Sequence, residues 1–187
     1  MGMTVTACYI FLAVVLAPAL EQGGLNQLAV HLFILYWGMV SYITPPVALG
    51  AFAAATMAGE SAIKTGFEAM RLGGVIYIAP FFFVLNPALI GEAPAFEVIV
   101  ALTSALIGVA LISMALQGHV SLVGPLRRNA VGLALRVMLF VGGLFFALPS
   151  SPELGLGFFG SAVIGLAVSA LPLFVAWRDG KASGQPV

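Results

Sequence analysis

The stretch MVSYITPPVALG, residues 39–50, places two hydroxyl side chains and two adjacent prolines inside an otherwise apolar run. Proline has no amide hydrogen and its ring clashes with the preceding turn of a helix. Pro45 and Pro46 therefore free carbonyls one turn earlier and push Thr44 out of the helical region. The hydroxyls of Ser41 and Thr44 lie three residues apart, on one side of the interrupted helix. Hydroxyls and released carbonyls are neutral oxygen ligands for a small hard cation.

The interruption falls inside a candidate membrane span, residues 28–57. From Leu28 to Thr44 a helix rises about 24 Å, which puts the break near or beyond the middle of the span. Unwound backbone at that depth is tolerated only where it is buried in protein or lines a cavity, and discontinuous helices form the ion and substrate sites of secondary transporters. A proline kink that serves packing alone is the alternative. No charged side chain lies deep in the spans up to Met57, which favours sodium over a carboxylate proton relay.

The composition explains why the solvent for these residues is lipid. Of the 187 residues 61% are hydrophobic and only 7% are charged, and the mean hydropathy is +1.13. Seven basic residues balance seven acidic ones, so no basic patch points to nucleic acid. The single cysteine, Cys8, allows no internal disulfide. No nucleophile with a base, metal cluster or pair of carboxylates appears within the membrane segments, so an enzyme is not indicated.

The sequence predicts an all-α polytopic membrane protein with about five transmembrane helices, one of them broken at Thr44–Pro46. A span needs about 20 apolar residues, whereas residues 6–20 form a shorter run typical of a re-entrant hairpin arm. The predicted spans are residues 28–57, 72–89, 96–116, 130–148 and 155–177.

Apart from Arg136, which lies in the second turn of its span, the basic residues fall in every second connection between these spans. They are Lys64 and Arg71, then Arg127 and Arg128, then Arg178 and Lys181. Under the positive-inside rule these segments, and with them the C-terminus, are cytoplasmic.

Two further patterns accompany the spans. In GESAIKTGFEAMR, apolar residues share one helical face and charged residues the other, which predicts either a short helix in the cytoplasmic interface or an ordinary charged connector. The last span has small residues at every fourth position, which favours close helix packing over chemistry. That stripe consists of Gly157, Ser161, Gly165 and Ser169.

The residues also resemble a known family. The stretches MGMTVTACYIFLAVVLAPAL, HLFILYWGMVSYITPPVALGAFAAATMAG and IKTGFEAMRLGGVIYIAPFFFVLNPALI look like the C-terminal part of the large permease subunit of TRAP (tripartite ATP-independent periplasmic) transporters. More narrowly, they resemble the fused-permease branch, in which the small and large membrane subunits form one chain. The resemblance is strong over residues 1–90, whereas residues 95–187 resemble the more variable C-terminal extension of that branch.

This resemblance implies a sodium-coupled secondary transporter of the bacterial inner membrane, with no cofactor beyond the coupling ion. Such a permease imports an organic anion, often a carboxylate, delivered by a periplasmic binding protein that in this branch is typically of the TAXI type. In the family a sodium site lies between a re-entrant hairpin tip and the break in the following helix. Carried over by position, the candidate sodium ligands are Gly2, Thr4, Thr6, Ser41, Thr44 and Val47. The family commonly has proline where this chain has Thr4.

The resemblance further places Met1 near the tip of that hairpin. We therefore expect an upstream permease portion to supply the rest of the transporter, with residues 1–90 forming the C-terminal end of the core and residues 91–187 an extension of three spans and a polar tail. A chain that transports nothing alone, whether truncated or a structural membrane protein, is the alternative.

Overall fold

The computed structural model describes residues 4–120, 124–126, 129–147 and 158–182. Its helices are α1 (Val5–Val15), α2 (Ala17–Gln22), α3 (Gln27–Met39), α4 (Leu49–Ala58), α5 (Ala62–Leu72), α6 (Ala79–Leu85), α7 (Ala95–Gln117), α8 (Ala130–Ala147) and α9 (Phe158–Ala182). Short 3₁₀ turns cover Val40–Tyr42, Gly74–Tyr77 and Pro87–Ile90. Two two-residue strands, β1 (His119–Val120) and β2 (Gly124–Pro125), pair antiparallel between α7 and α8. The predicted all-α membrane class is confirmed.

The chain divides into two compact units, Met1–Pro94 and Ala95–Val187. In the first unit, α1 and α2 fold back along α3. The start of α1 lies beside the end of α3, where Gly38 faces Val5 and Cys8, and Tyr9 reaches back to His31. These contacts make α1 and α3 antiparallel. A small apolar core of Ala17, Val30 and Ile34 joins the arm to α3.

Local sequence explains where these helices begin. Thr4 caps α1 through its hydroxyl, which accepts a hydrogen bond from the Ala7 amide. Pro18 occupies the first turn of α2, where a missing amide hydrogen costs nothing. Asn26 caps α3 by accepting from the Ala29 amide. The arm predicted at residues 6–20 is therefore two short helices that meet at Leu16.

The predicted interruption at Thr44–Pro46 is confirmed. Helix α3 continues into the 3₁₀ turn Val40–Tyr42, and α4 begins only at Leu49. The irregular segment between them, residues 43–48, is called the break below.

The predicted span over residues 72–89 is not one continuous helix. It consists of the 3₁₀ turn Gly74–Tyr77, α6 and the 3₁₀ turn Pro87–Ile90. The segment Gly74–Leu85 is bent by 67° relative to α5. Pro80 stands in the first turn of α6 and Pro87 in the first turn of the last 3₁₀ segment, so neither proline can continue a preceding helix. The polypeptide therefore crosses this region as short helical pieces.

The second unit consists mainly of α7, α8 and α9, which are the three helices in the described residues long and apolar enough to cross a membrane. In the first unit, α5 and the segment Gly74–Leu85 would make a fourth span if this bent pair is counted as one. Backbones come close where small residues meet: a β-carbon on Gly108 would lie 2.6 Å from the Gly143 carbonyl oxygen, and one on Gly142 would lie 3.1 Å from that of Gly165. Ser161 and Ser169 of the predicted small-residue stripe are buried, whereas Gly157 lies outside the described residues.

Candidate cation site at the helix break

The break keeps part of its backbone hydrogen bonding in spite of its two prolines. The amides of Ile43 and Thr44 both donate to the Val40 carbonyl, at 3.2 and 3.1 Å. The amide of Ala48 donates to the Thr44 carbonyl at 3.0 Å, which closes a turn around the prolines. Ala48 is fully buried and adopts the left-handed conformation, with φ 33° and ψ 44°. This residue turns the chain into α4.

Both hydroxyls predicted at the break are half-buried and donate back to their own helix. Ser41 Oγ donates to the Gly38 carbonyl at 2.8 Å, and Thr44 Oγ1 donates to the Val40 carbonyl at 2.7 Å. Such bonds satisfy the hydroxyl hydrogen in an apolar environment and fix the side-chain rotamer. Each oxygen keeps its lone pairs directed away from the donated hydrogen. Because their hydrogens are already donated to backbone carbonyls, the hydroxyls of Ser41 and Thr44 can take part in a further interaction only as acceptors.

A third hydroxyl joins Thr44 from a different part of the chain. The phenol oxygen of Tyr77, at the end of the 3₁₀ turn Gly74–Tyr77, lies 2.6 Å from Thr44 Oγ1. Tyr77 was not among the site residues predicted from the sequence. The available signal was a phenol in the apolar run GGVIYIAPFFF, since a buried tyrosine hydroxyl usually finds a hydrogen-bond partner.

Helix α5 and the residue that follows it pack directly on the break. Gly66 lies against Pro45, and Gly73 lies against Ile43: β-carbons on these glycines would come within 2.7 Å of Pro45 Cγ and 2.8 Å of Ile43 Cδ1. Only residues without a side chain allow this approach. The break is thus enclosed by protein on this side, as unwound backbone in a membrane requires.

Val5, which stands between the predicted hairpin threonines Thr4 and Thr6, packs on the last turn of α3. A β-carbon on Gly38 would lie 3.5 Å from Val5 Cγ1 and 3.7 Å from the Val5 carbonyl oxygen, so the first turn of α1 covers the turn of α3 that precedes Ser41. Thr4 caps α1 and Thr6 is exposed on it. No hydrogen bond joins either threonine to the break within the described part of the chain. Gly2 lies outside the described residues, and Val47 is half-buried within the break.

A second polar group connects the three N-terminal helices. Tyr9 Oη lies 3.0 Å from His31 Nδ1, and His31 Nε2 lies 3.5 Å from Glu21 Oε1. A neutral imidazole with its hydrogen on Nε2 satisfies both contacts, because it accepts from the phenol and donates to the carboxylate. Nearby in the first unit, Asn26 Nδ2 donates to Glu92.

The arrangement at the break provides neutral oxygens and no charge. Ser41, Thr44 and Tyr77 contribute hydroxyls, and Pro45 and Pro46 leave two carbonyls of the preceding turn without their helical donors. Neutral oxygens from broken helices coordinate Na⁺ in secondary transporters. The break therefore offers oxygen acceptors without a charged side chain.

Comparison with known proteins identifies one related family. The model of the tripartite ATP-independent periplasmic transporter, DctM component, matches residues 1–98. The matched region contains the hairpin arm, the break, α5 and α6. No curated protein and no solved structure matches the chain.

Proposed function

The chain belongs to the DctM family of tripartite ATP-independent periplasmic transporters, which are secondary transporter permeases, and on that premise we propose that its break binds the sodium ion that drives solute uptake. The observation that carries this proposal is the hydrogen bonding of the Thr44 hydroxyl. Its hydroxyl sits at the helix interruption, donates its hydrogen to the Val40 carbonyl and presents the oxygen as an acceptor. Sodium needs such oxygens and releases no proton on binding.

The proposed solute is an organic acid, a carboxylate, delivered by a periplasmic binding protein of the TAXI type. The support is the family membership together with the likeness of the chain to the fused-permease branch. Recognition of the solute carboxylate falls to parts of the transporter other than the break, since Ser41, Thr44 and Tyr77 bear no positive charge.

The proposed location is the bacterial inner membrane with the C-terminus in the cytoplasm. The support is the distribution of basic residues, which fall in alternate connections and in the C-terminal tail. The first unit, with the arm and the break, carries the proposed ion site. The second unit, with its three long apolar helices, serves as a membrane extension of that core.

The test uses the assembled transporter in proteoliposomes with its binding protein. Uptake of a panel of radiolabelled mono- and dicarboxylates is measured under an inward sodium gradient and under a matched choline gradient. Thr44→Val keeps the shape of the side chain and removes only the hydroxyl. We expect the sodium concentration for half-maximal uptake to rise about tenfold or more, as for a lost ligand worth more than ~1.4 kcal/mol.

Thr56→Val is the matched control. Thr56 Oγ1 donates to the Phe52 carbonyl at 2.9 Å, the same type of bond as in Thr44, but it stands in α4 outside the break. Its sodium dependence should equal that of the unmodified protein. If Thr44→Val and Thr56→Val transport with the same sodium dependence as the parent, the site is not at the break.

A further inference from the structure

Tyr77 is fixed from two sides. Its ring stands edge-on to that of Trp37 of α3, with centroids 6.4 Å apart and an interplanar angle of 74°. The 3₁₀ turn that carries it follows Gly73, which packs against Ile43 of the break. The phenol hydroxyl is therefore held at a defined place relative to Thr44.

The direction of the Thr44–Tyr77 hydrogen bond follows from counting hydrogens. A threonine hydroxyl has one hydrogen and two lone pairs. The hydrogen of Thr44 is donated to the Val40 carbonyl, so Tyr77 is the donor and occupies one lone pair of Thr44 Oγ1. A single lone pair of Thr44 then remains for a cation.

This bond constrains a segment with little internal hydrogen bonding. The break contains two prolines, which have no amide hydrogen, and it connects the 3₁₀ turn that ends at Tyr42 to α4, which begins at Leu49. Ligand oxygens must be held to within about 0.5 Å of their binding geometry, and a site that is ordered before binding avoids the entropy cost of ordering on binding. Among the described residues, Tyr77 is the side chain from outside the break that hydrogen-bonds to it.

We propose that Tyr77 is a positioning residue of the sodium site: its hydroxyl holds Thr44 Oγ1 in place so that the remaining lone pair is directed at the ion. This inference rests on the proposed function of the break. It assigns to the 3₁₀ turn Gly74–Tyr77 a direct influence on sodium affinity, without contact between Tyr77 and the ion.

The test measures equilibrium binding of radioactive sodium to the purified permease, with unlabelled sodium as competitor and potassium as the inactive ion. Tyr77→Phe keeps the ring that packs on Trp37 and removes only the hydroxyl. We expect the Kd for sodium to rise about fivefold, the size that corresponds to one net hydrogen bond. Tyr9→Phe, which removes a tyrosine hydroxyl that hydrogen-bonds to His31 away from the break, is the matched control and should leave the Kd unchanged.

A double variant separates positioning from a general structural effect. If Tyr77 acts through Thr44, Thr44→Val with Tyr77→Phe binds sodium no more weakly than Thr44→Val alone. Additive losses, or a Kd unchanged in Tyr77→Phe, overturn the inference while leaving the site itself in place. A Kd unchanged in Thr44→Val overturns the proposed function instead.

A further variant separates the hydroxyl of Thr44 from its methyl group. Thr44→Ser keeps the hydroxyl that accepts from Tyr77 and loses only a methyl group. It should bind sodium within about twofold of the parent, well inside the effect of one hydrogen bond. A Kd as weak as that of Thr44→Val would show that the hydroxyl is not what Tyr77 holds.

Discussion

Gly66 of α5 lies directly on the pyrrolidine ring of Pro45, so that a β-carbon at Gly66 would stand 2.7 Å from Pro45 Cγ. The contact joins Pro45, the first of the two prolines, to an amphipathic helix that begins seventeen residues later, at Ala62. It explains how a broken helix is held in one shape. The ring of proline is rigid, so the neighbour and not the ring must give way when the space is filled.

The first prediction concerns this contact. Gly66→Ala should lower the melting temperature of the detergent-solubilised protein, because overpacking costs about 1–3 kcal/mol and exceeds the helix-propensity gain of about 1 kcal/mol. Gly50→Ala in α4 is the control, since its β-carbon would meet the Tyr42 carbonyl at an ordinary 3.4 Å. The two are compared by size-exclusion chromatography of heated fluorescent fusions. Equal melting temperatures would contradict the packing.

The second prediction concerns Ala48, which is buried in the left-handed conformation. Glycine there removes a strain of about 1–2 kcal/mol and loses a buried methyl worth about 0.8 kcal/mol, so Ala48→Gly should leave the melting temperature nearly unchanged. Ala55→Gly, equally buried but within α4, loses the methyl and helix propensity together and should be clearly destabilised. A similar loss in both variants would contradict the left-handed turn.

The third prediction concerns the contact between α7 and α8 in the second unit. Ser104 Oγ donates to the Phe146 carbonyl at 2.5 Å, and Ser104 is buried. Ser104→Ala should destabilise the protein by about 0.6–1 kcal/mol, the usual worth of such a bond between membrane helices. In Thr103→Ala, which loses only bonds within its own helix, the effect should be smaller. Chemical unfolding in mixed micelles ranks the two variants.

The fourth prediction concerns the Tyr9–His31–Glu21 group. The side chains of His31 and Glu21 are about a third exposed, at 30% and 33%, so loss of the Glu21 carboxylate in Glu21→Gln should cost at most about 1 kcal/mol, with less effect at high salt. Tyr9→Phe should cost about as much at any salt, because it removes a part-buried hydrogen bond. Glu68→Gln, from the exposed pair with Arg71, is the control and should have no measurable effect. Melting temperatures at low and high sodium chloride distinguish the three.

The fifth prediction concerns orientation. A green fluorescent protein fused after Val187 should fluoresce and an alkaline phosphatase fused there should be inactive, because we propose from the basic residues of the tail that the C-terminus is cytoplasmic. Phosphatase fused after Gly24, in the connection without Lys or Arg, should be active. The opposite pattern of activities would reverse the topology.

Much of the first unit could be predicted because lipid leaves few choices. Proline has no amide hydrogen to donate in a helix, so the break was predictable from the adjacent residues Pro45 and Pro46. The segment at residues 72–89 was not, because an apolar run satisfies the criterion for a span even when Pro80 and Pro87 divide it into short pieces. Apolar composition indicates that a segment prefers lipid to water, but not that it forms one continuous helix.

The sequence by itself determined the membrane class, the break, and Ser41 and Thr44 as its hydroxyl residues, since each follows from local chemistry: apolar length, missing amide hydrogens and side-chain type. Only the tertiary structure decided what surrounds them. The Tyr77 hydroxyl hydrogen-bonds to Thr44, which lies 33 residues earlier in the chain. Gly66 packs against Pro45, and Gly73 packs against Ile43. These distant segments meet because the chain bends by 67° after α5. Such contacts depend on the path of the backbone in space, which no spacing along the sequence encodes.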